Sequence, residues 1–297
     1  MLDPVSVRQL FEKGLAADVP ELRLSLHQQR LELGRRRHLV AVVNLSPDSP
    51  YGSSVAHSPA EARRLARIAR DDGASIVEFG LESTAPGSSS RSAVEQIQLL
   101  TPALESCLDL GIEISVETRH SKVIDWAMRF GIRMINLVGY EGYETALEII
   151  ARHDAVVILP YTPEAAPAFS GYALQGGQPE LSRQLDFFRM RVGQAQQSGV
   201  SQCVIDPGVG FSYSVAEQDR ISYQMLQYLQ LHRLSGALQV PTLATLVHAP
   251  KVFVGPYLQL AEPVMSVLAM MGGVNLIRTH ETGSVEMVRQ LLDNFSM

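Results

Sequence analysis

The chain has 297 residues, a net charge of −6 and a sequence pI near 5.8. This acidic balance argues against nucleic-acid binding, because phosphate recognition needs a clustered basic face and the basic run at 35–37 is too short to form one. The amino terminus carries Asp3 and Glu12 in place of an apolar leader, and the apolar segment 263–277 is interrupted by glycines. We therefore expect neither a signal peptide nor a membrane span.

The two cysteines, Cys107 and Cys203, have neither the spacing of a metal site nor the setting of a disulfide framework. We interpret both as small hydrophobic residues in the core. Unpaired thiols are typical of reducing compartments, so the sequence predicts a soluble, cytoplasmic protein.

The first 37 residues are predicted to form a helical extension. Val7, Leu10 and Phe11 recur at helical spacing, and a leucine-rich segment follows Pro20. We expect this extension to cover the floor of the domain that follows it.

From residue 38 onward, short apolar runs alternate with amphipathic segments. The run 39–43 is continuously apolar, as in strands that are buried on both faces. Ser58 and Ser92 each precede a glutamate by three residues, which is the pattern of a capping box at a helix start. The predicted strands are 39–43, 75–80, 112–116, 133–136, 155–159, 203–206, 241–245 and 274–277. The predicted helices open at Ser58 and Ser92 and continue with 121–130, 143–152, 179–198, 216–231, 257–271 and a last helix from 284.

This alternation predicts an α/β fold of the (β/α)₈ TIM-barrel class over residues 38–297. An open doubly wound sheet usually has fewer strands, and a barrel of this class commonly takes about 250 residues. No linker divides the segment. The one long loop, 161–178, is longer than most connections in compact domains, and such loops are usually functional.

The segment 203–211 is a buried strand that ends at Asp206 and is followed at once by Pro207 and Gly208. Parallel α/β proteins bind ligands beyond the carboxyl ends of their strands, so an acid here suggests recognition of a ligand rich in hydrogen-bond donors. A turn aspartate that bonds its own backbone is an equally good interpretation of this segment alone.

Polar residues follow the other predicted strands as well, and in a barrel they converge on one face. Taken singly, each is more often a strand-end cap or a surface charge than a ligand contact. Together they suggest a site for a flat heterocycle and an anion, because amides and carboxylates pair with an aminopyrimidine edge, whereas Arg and His suit phosphate. The set is Asn44, 82–87, Glu117, Asn136, Tyr161, Asp206, 248–251, Arg278 and His280.

Seven motifs, one after nearly every strand, resemble the dihydropteroate synthases and the wider family of pterin-binding barrels. They run in order from about residue 39 to the end of the chain. The motifs are NLSPDS at 44–49, ESTAPG at 82–87, ISVET at 114–118, IN at 135–136, IDPGVGF at 205–211, KVFVG at 251–255 and RTH at 278–280. The resemblance implies a (β/α)₈ barrel, usually a homodimer, that condenses 6-hydroxymethyl-dihydropterin pyrophosphate with p-aminobenzoate and releases pyrophosphate with the help of Mg²⁺.

The resemblance also assigns roles to individual positions. Asn136, Asp206 and Lys251 fall where the family holds the pterin ring. Glu117 falls where the family has an aspartate, so it is expected to bind the ring from one methylene further along its side chain.

The remaining matched positions belong to the leaving group. Arg278 and His280 match the pyrophosphate site of the family, and together with Lys251 they are the expected catalytic residues. Asn44 matches a residue of the pyrophosphate and magnesium site and is the expected metal ligand. Thr84 matches the threonine of a loop that also helps to hold pyrophosphate.

Several positions depart from the family pattern. Ala85 stands where the family has an arginine, which removes a cation from the leaving-group site. Ala249 and Pro250 stand where it has Ser-Arg, and Leu137 replaces an aspartate.

Three functions therefore stay open at this level. The chain is a synthase with altered loops, a pterin-dependent methyltransferase of folate or methanopterin metabolism, or a pterin-binding protein without chemistry of its own. The presence of Arg278 and His280 favours a synthase, whereas Ala85 and Leu137 favour a pterin-binding protein without chemistry of its own.

Overall fold

The computed structural model describes residues 22–34, 36–46, 51–82, 90–139, 142–162, 181–209, 217–246, 253 and 255–295. Its centre is an eight-stranded parallel sheet whose strands are all short and buried. These strands are β3 (His38–Asn44), β4 (Ile76–Gly80), β5 (Glu113–Thr118), β6 (Met134–Leu137), β7 (Val156–Pro160), β8 (Gln202–Asp206), β9 (Leu243–Thr245) and β10 (Leu276–Thr279).

The sheet closes on itself. Its strand order is β8-β7-β6-β5-β4-β3-β10-β9, so β8 and β9 form the two ends of the hydrogen-bonded series. Between these ends, the amide of Ile205 donates to the carbonyl of Pro241 at 2.9 Å, and Ile205 also forms a parallel bridge with Thr242. The sheet is therefore a barrel, and the sequence-based prediction of a (β/α)₈ fold is confirmed.

Helices connect successive strands and cover the outside of the barrel. The two predicted caps are present: Ser58 and Ser92 accept from the amides of Glu61 and Glu95. The helices are α1 (Pro59–Asp71), α2 (Ala93–Glu105), α3 (Ser121–Phe130), α4 (Tyr143–Arg152), α5 (Leu181–Gln197), α6 (Glu217–Leu229), α7 (Leu231–Leu238), α8 (Ala261–Met271) and α9 (Thr282–Phe295). The predicted helix 216–231 thus ends near Leu229, and the separate helix α7 follows it.

The amino-terminal extension differs from the prediction in its described part. Residues 22–34 form an antiparallel hairpin, β1 (Arg23–Ser25) and β2 (Arg30–Glu32), and not a helix. The reason is that its leucines alternate with polar residues: Leu24, Leu31 and Leu33 are buried, whereas the strand residues between and beside them are exposed. These exposed residues are Arg23, Ser25, Arg30 and Glu32. A period of two suits a strand, whose side chains alternate between faces.

The hairpin closes one end of the barrel. Its three buried leucines pack against an apolar layer of side chains from the strands. That layer consists of Val40, Ile76, Met134, Val156, Ile158, Val204, Leu243 and Leu276. Residues 1–21, the rest of the predicted extension, lie outside the described residues.

Two further observations bear on the class of protein. Cys107 and Cys203 are free and buried, as the sequence predicts. Among the described helices, none combines the length and the apolar character that a membrane crossing requires.

Candidate functional site

Directly above the apolar layer of the barrel lies a layer of polar side chains. Because side chains alternate along a strand, the residue two positions after an inward apolar residue also points inward. On β4, β6, β8 and β10, the apolar residues Ile76, Met134, Val204 and Leu276 are therefore followed by polar ones. The polar residues are Glu78, Asn136, Asp206 and Arg278, and Glu117 of β5 joins them.

Arg278 is at the centre of this layer. Its Nε lies 2.5 Å from Glu78 Oε1, and its Nη2 lies 2.7 Å from Glu117 Oε2. Only 13% of the Arg278 side chain is exposed, and Glu78 is fully buried. Burial alone would lower the pKa of Arg278, but Glu78 and Glu117 outweigh burial and raise it, so the guanidinium stays charged.

Asn136 is bonded on one side and open on the other. Its Nδ2 donates to Glu78 Oε1 at 3.3 Å and to Glu117 Oε2 at 3.4 Å, which sets the orientation of the amide. Its Oδ1 is buried and has no hydrogen-bond partner within the described part of the chain. A buried acceptor without a partner is costly, so this atom is suited to a donor on a bound ligand.

Asp206 carries two hydrogen bonds and remains an acceptor. Its Oδ1 accepts from the amide of Gly208 at 2.9 Å, and its Oδ2 accepts from the hydroxyl of Thr245 at 3.1 Å. The turn depends on Gly208, which has φ +70° and where a Cβ would lie 2.2 Å from the carbonyl oxygen of Tyr161. Burial raises the pKa of Asp206 to about 6, although these bonds and Arg278 oppose the rise. The aspartate therefore makes the backbone bond that the turn interpretation predicts, and its remaining lone pairs can still accept from a ligand.

Glu117 changes charge close to neutral pH. Burial raises its pKa to about 7, while the Arg278 guanidinium acts in the opposite direction and Glu78 adds to the rise. With every group ionised, three carboxylates share this layer with one guanidinium. An excess of acceptors favours a ligand that presents several N–H donors, which is the character of an aminopyrimidine edge.

Asn44 ends β3 beside this layer. Its Nδ2 donates to Ser54 Oγ at 2.9 Å, so the side-chain oxygen is directed away from Ser54. The approach to β4 is close: a Cβ at Gly80 would lie 2.7 Å from Asn44 Oδ1. Glycine at this position therefore leaves room for the amide.

His280 belongs to a second cluster and does not bond the groups that hold Arg278. Its Nδ1 lies 2.7 Å from Glu262 Oε1, and its ring stacks on Tyr51 with centroids 3.7 Å apart. Glu262 is fully buried on α8. Burial alone would raise the pKa of Glu262, but the hydrogen bonds from His280 and Thr279 hold it below its ordinary value.

Of the predicted site residues, Thr84 and Lys251 lie outside the described residues, as do the substituted positions Ala85, Ala249 and Pro250. Tyr161 turns away from the barrel interior and packs edge-on against Phe187. Glu82 bonds Arg119, Gln96 and the amide of Arg91, and so anchors the start of α2.

Sequence reasoning missed Glu78 and Glu262. Glu78 had a visible signal, since an acid interrupts the apolar residues of β4. Glu262 lies at the second position of an otherwise apolar helix, where its burial could not be foreseen.

A profile of the family described as pterin binding enzymes matches residues 40–280 of this chain. The chain belongs to this family. It is 27% identical over 285 residues to a dihydropteroate synthase of Synechocystis, covering 91% of this chain and 94% of that protein. A dihydropteroate synthase of Escherichia coli is 27% identical over 255 residues, covering 82% of this chain and 86% of the relative.

Solved structures agree with this placement. The crystal structure of dihydropteroate synthase from Thermus thermophilus in complex with 4-aminobenzoate is 25% identical and has a TM-score of 0.72. The match covers 92% of this chain and 99% of the Thermus chain. This pterin-binding enzyme therefore has the fold of dihydropteroate synthases along nearly its whole length, and the resemblance of the motifs is confirmed.

Proposed function

We propose that this chain is a dihydropteroate-synthase-like transferase that joins 6-hydroxymethyl-dihydropterin pyrophosphate to p-aminobenzoate or a related amine. The observation that carries the proposal is the buried acceptor set of Asn136 Oδ1, Asp206 and Glu117, which suits the N–H donors of a pterin ring. It stands on a barrel whose relatives at 27% identity are dihydropteroate synthases.

In the proposed reaction, the amine nitrogen attacks the pterin methylene as the C–O bond to pyrophosphate breaks. The bond electrons leave with pyrophosphate, and the amine loses one proton to solvent. The protein positions the substrates and supplies positive charge. The layer of polar side chains inside the barrel orients the pterin ring, and cationic side chains stabilise the leaving group. We assign Lys251, Arg278 and His280 to that stabilisation, and Thr84 to the loop beside it.

A magnesium ion bound together with the pyrophosphate is compatible with this reaction. Mg²⁺ keeps several waters and is usually held by a few protein oxygens together with substrate phosphates. The described residues contain no cluster of three or more His, Cys, Asp or Glu side chains that could cage a metal. We propose that Asn44 Oδ1 would be the protein ligand of the ion, which would supply positive charge to the leaving group.

We also propose a homodimer formed through the surface of α8. Val264 is 50% exposed, and Tyr257 and Leu260 just before the helix are 62% and 52% exposed. Met265 and Met270 are buried against the barrel and do not contribute to this surface. The free buried thiols suit a reducing compartment, and we propose a cytoplasmic location.

The decisive experiment is incubation of the pure protein with the pterin pyrophosphate, Mg²⁺ and p-aminobenzoate, with the pterin-amine adduct and pyrophosphate measured separately. We expect both products in equal amounts. Because Ala85 removes one cation near the leaving group, we expect Ala85→Arg to increase the rate. Pyrophosphate without adduct would identify a different acceptor. Absence of both products in wild type and in Ala85→Arg, with pterin binding intact, would contradict the transferase.

A further inference from the structure

The second cluster of the site is organised around the carboxylate of Glu262. Its Oε2 accepts three donors: the hydroxyl of Thr279, the amide of His280 at 2.7 Å and the amide of Glu281 at 3.2 Å. Its Oε1 lies 2.7 Å from His280 Nδ1. Both oxygens are thus committed to the end of β10 and the residues that follow it.

This arrangement determines which nitrogen of His280 carries a proton. An ionised carboxylate can only accept, so the nitrogen that faces it, Nδ1, must be the donor. Nε2 then points away from Glu262, and no residue in the described part of the chain bonds it. The stacked ring of Tyr51, tilted by only 13° from the imidazole plane, keeps the imidazole from turning over.

We propose that Glu262 is a positioning residue of this enzyme, which fixes Nδ1 of His280 as the donor to its carboxylate and leaves Nε2 to carry the proton that is donated to the anionic leaving group. The proposal rests on the proposed function for the role of His280, but the orientation itself can be measured without any reaction. With Nδ1 bonded to the carboxylate, a proton on Nε2 makes the ring an imidazolium, which donates to the anion with the help of a full charge. The stacked ring of Tyr51 is the second contact that fixes the orientation of the His280 ring.

The substitution Glu262→Gln tests the proposal because the hydrogen-bond donors around the carboxylate determine how a glutamine must be oriented. Three donors converge on the position of Oε2, so the single oxygen of glutamine must occupy it. The glutamine NH₂ group then faces His280 Nδ1, which becomes an acceptor, and the proton moves to Nε2. We expect the tautomer of His280 to reverse.

The measurement is ¹⁵N NMR of protein labelled in its histidines, with the His280 signal assigned by its loss in His280→Gln. Wild type should show a protonated Nδ1, and Glu262→Gln should show a protonated Nε2 and a free Nδ1. The matched control is Glu113→Gln, because Glu113 is also buried and accepts from two backbone amides, those of Gln28 and Gln29, at the hairpin end of the barrel. This control should leave the His280 signal unchanged.

The expected functional consequence of Glu262→Gln is weaker binding of the leaving group. A neutral hydrogen bond is roughly half as strong as a charge-assisted one, so we expect KM for the pterin pyrophosphate to rise about tenfold in Glu262→Gln. Binding of bare dihydropterin should change less than twofold, because the ring contacts belong to the inner polar layer. A merely structural role would weaken both ligands together.

Two results would overturn the proposal: a protonated Nε2 with free Nδ1 in wild type, or a KM for the pterin pyrophosphate that does not rise when the tautomer reverses. The wild-type spectrum needs only the folded native chain, so failure of Glu262→Gln to fold would not protect the proposal. Lack of turnover by wild type would count against the proposed function instead, and the spectrum would still decide the orientation of His280.

Discussion

Replacing Asp206 by asparagine should separate stability from ligand binding, because the charge of this carboxylate opposes folding but serves the ligand. Asparagine has nearly the same shape and can keep both present bonds. Its oxygen can accept from the amide of Gly208, and its NH₂ can donate to the hydroxyl of Thr245, which rotates to accept. The substitution therefore removes the charge while both hydrogen-bonded contacts of the side chain can be kept.

The size of the stability effect follows from the pKa. Burial raises the pKa of Asp206 from 3.8 to about 6. At 1.36 kcal/mol per unit, the ionised carboxylate destabilises the fold by about 3 kcal/mol. The native state binds more protons than the unfolded state between pH 4 and pH 6, so this destabilisation is absent below about pH 4, grows through that window and is complete above it. Asp206→Asn should thus be more stable than wild type at pH 8 and equal to it near pH 4.

Urea unfolding at both pH values measures the difference in the free energy of unfolding. Calorimetry with a reduced pterin should show the opposite effect, a loss of about 1–3 kcal/mol of binding free energy, because a charged acceptor becomes a neutral one. Asp186→Asn is the control: Asp186 is 71% exposed and pairs with Arg189 at 3.2 Å on the surface, so neither quantity should change appreciably. A variant that is no more stable at pH 8, or that binds pterin as well as wild type, would refute this reasoning.

The remaining predictions concern the other groups of the site and the dimer. Glu117→Asp shortens a ring contact by one methylene, so calorimetry should show a changed preference between oxidised and reduced pterins; an unchanged preference would count against its assigned role. Glu78→Ala leaves Arg278 paired with Glu117 alone, and urea unfolding should show that the free energy of unfolding falls by about 3–5 kcal/mol. A fall of less than about 1 kcal/mol would mean that Glu117 alone is enough to stabilise the buried guanidinium. Light scattering at micromolar concentration should give a dimer mass for wild type and a monomer mass for Val264→Glu. The control Val94→Glu, at an exposed position on α2, should remain a dimer. A monomer mass for wild type would contradict the proposed homodimer.

The strands could be predicted from the sequence because both of their faces are buried. A residue run such as 39–43 must then be apolar throughout, and each run is followed by a helix with its own start signal. The prediction for the amino-terminal hairpin was wrong for the opposite reason. Leu22, Leu24 and Leu26 fit a strand at every second residue, yet Leu22 and Leu26 also fit a helix at four. Only the packing of Leu24 on the barrel floor decides between the two.

Which residues form the polar layer of the barrel was more predictable than how they pair. Strand-end position alone selects Asn136, Asp206 and Arg278, since parallel strands end on one face of a barrel. Which carboxylate meets Arg278 depends on the register of β10 against β3 and of β3 against β4, and no local pattern encodes that register. Glu262 escapes sequence reasoning altogether because it reaches the site from a helix outside the strands.

The pairing of Arg278 changes how the leaving group must be stabilised. The sequence suggested that Arg278 and His280 form one phosphate site, but Arg278 is held by Glu78 and Glu117, and His280 is held by Glu262. A guanidinium that already neutralises two carboxylates has little charge left for pyrophosphate while both stay ionised. Because the pKa of Glu117 is about 7, protonation of Glu117 near neutral pH frees part of that charge. Turnover should therefore fall as pH rises above about 7, and a rate that increases steadily from pH 6 to pH 9 would show that Arg278 serves the pterin ring and not the leaving group.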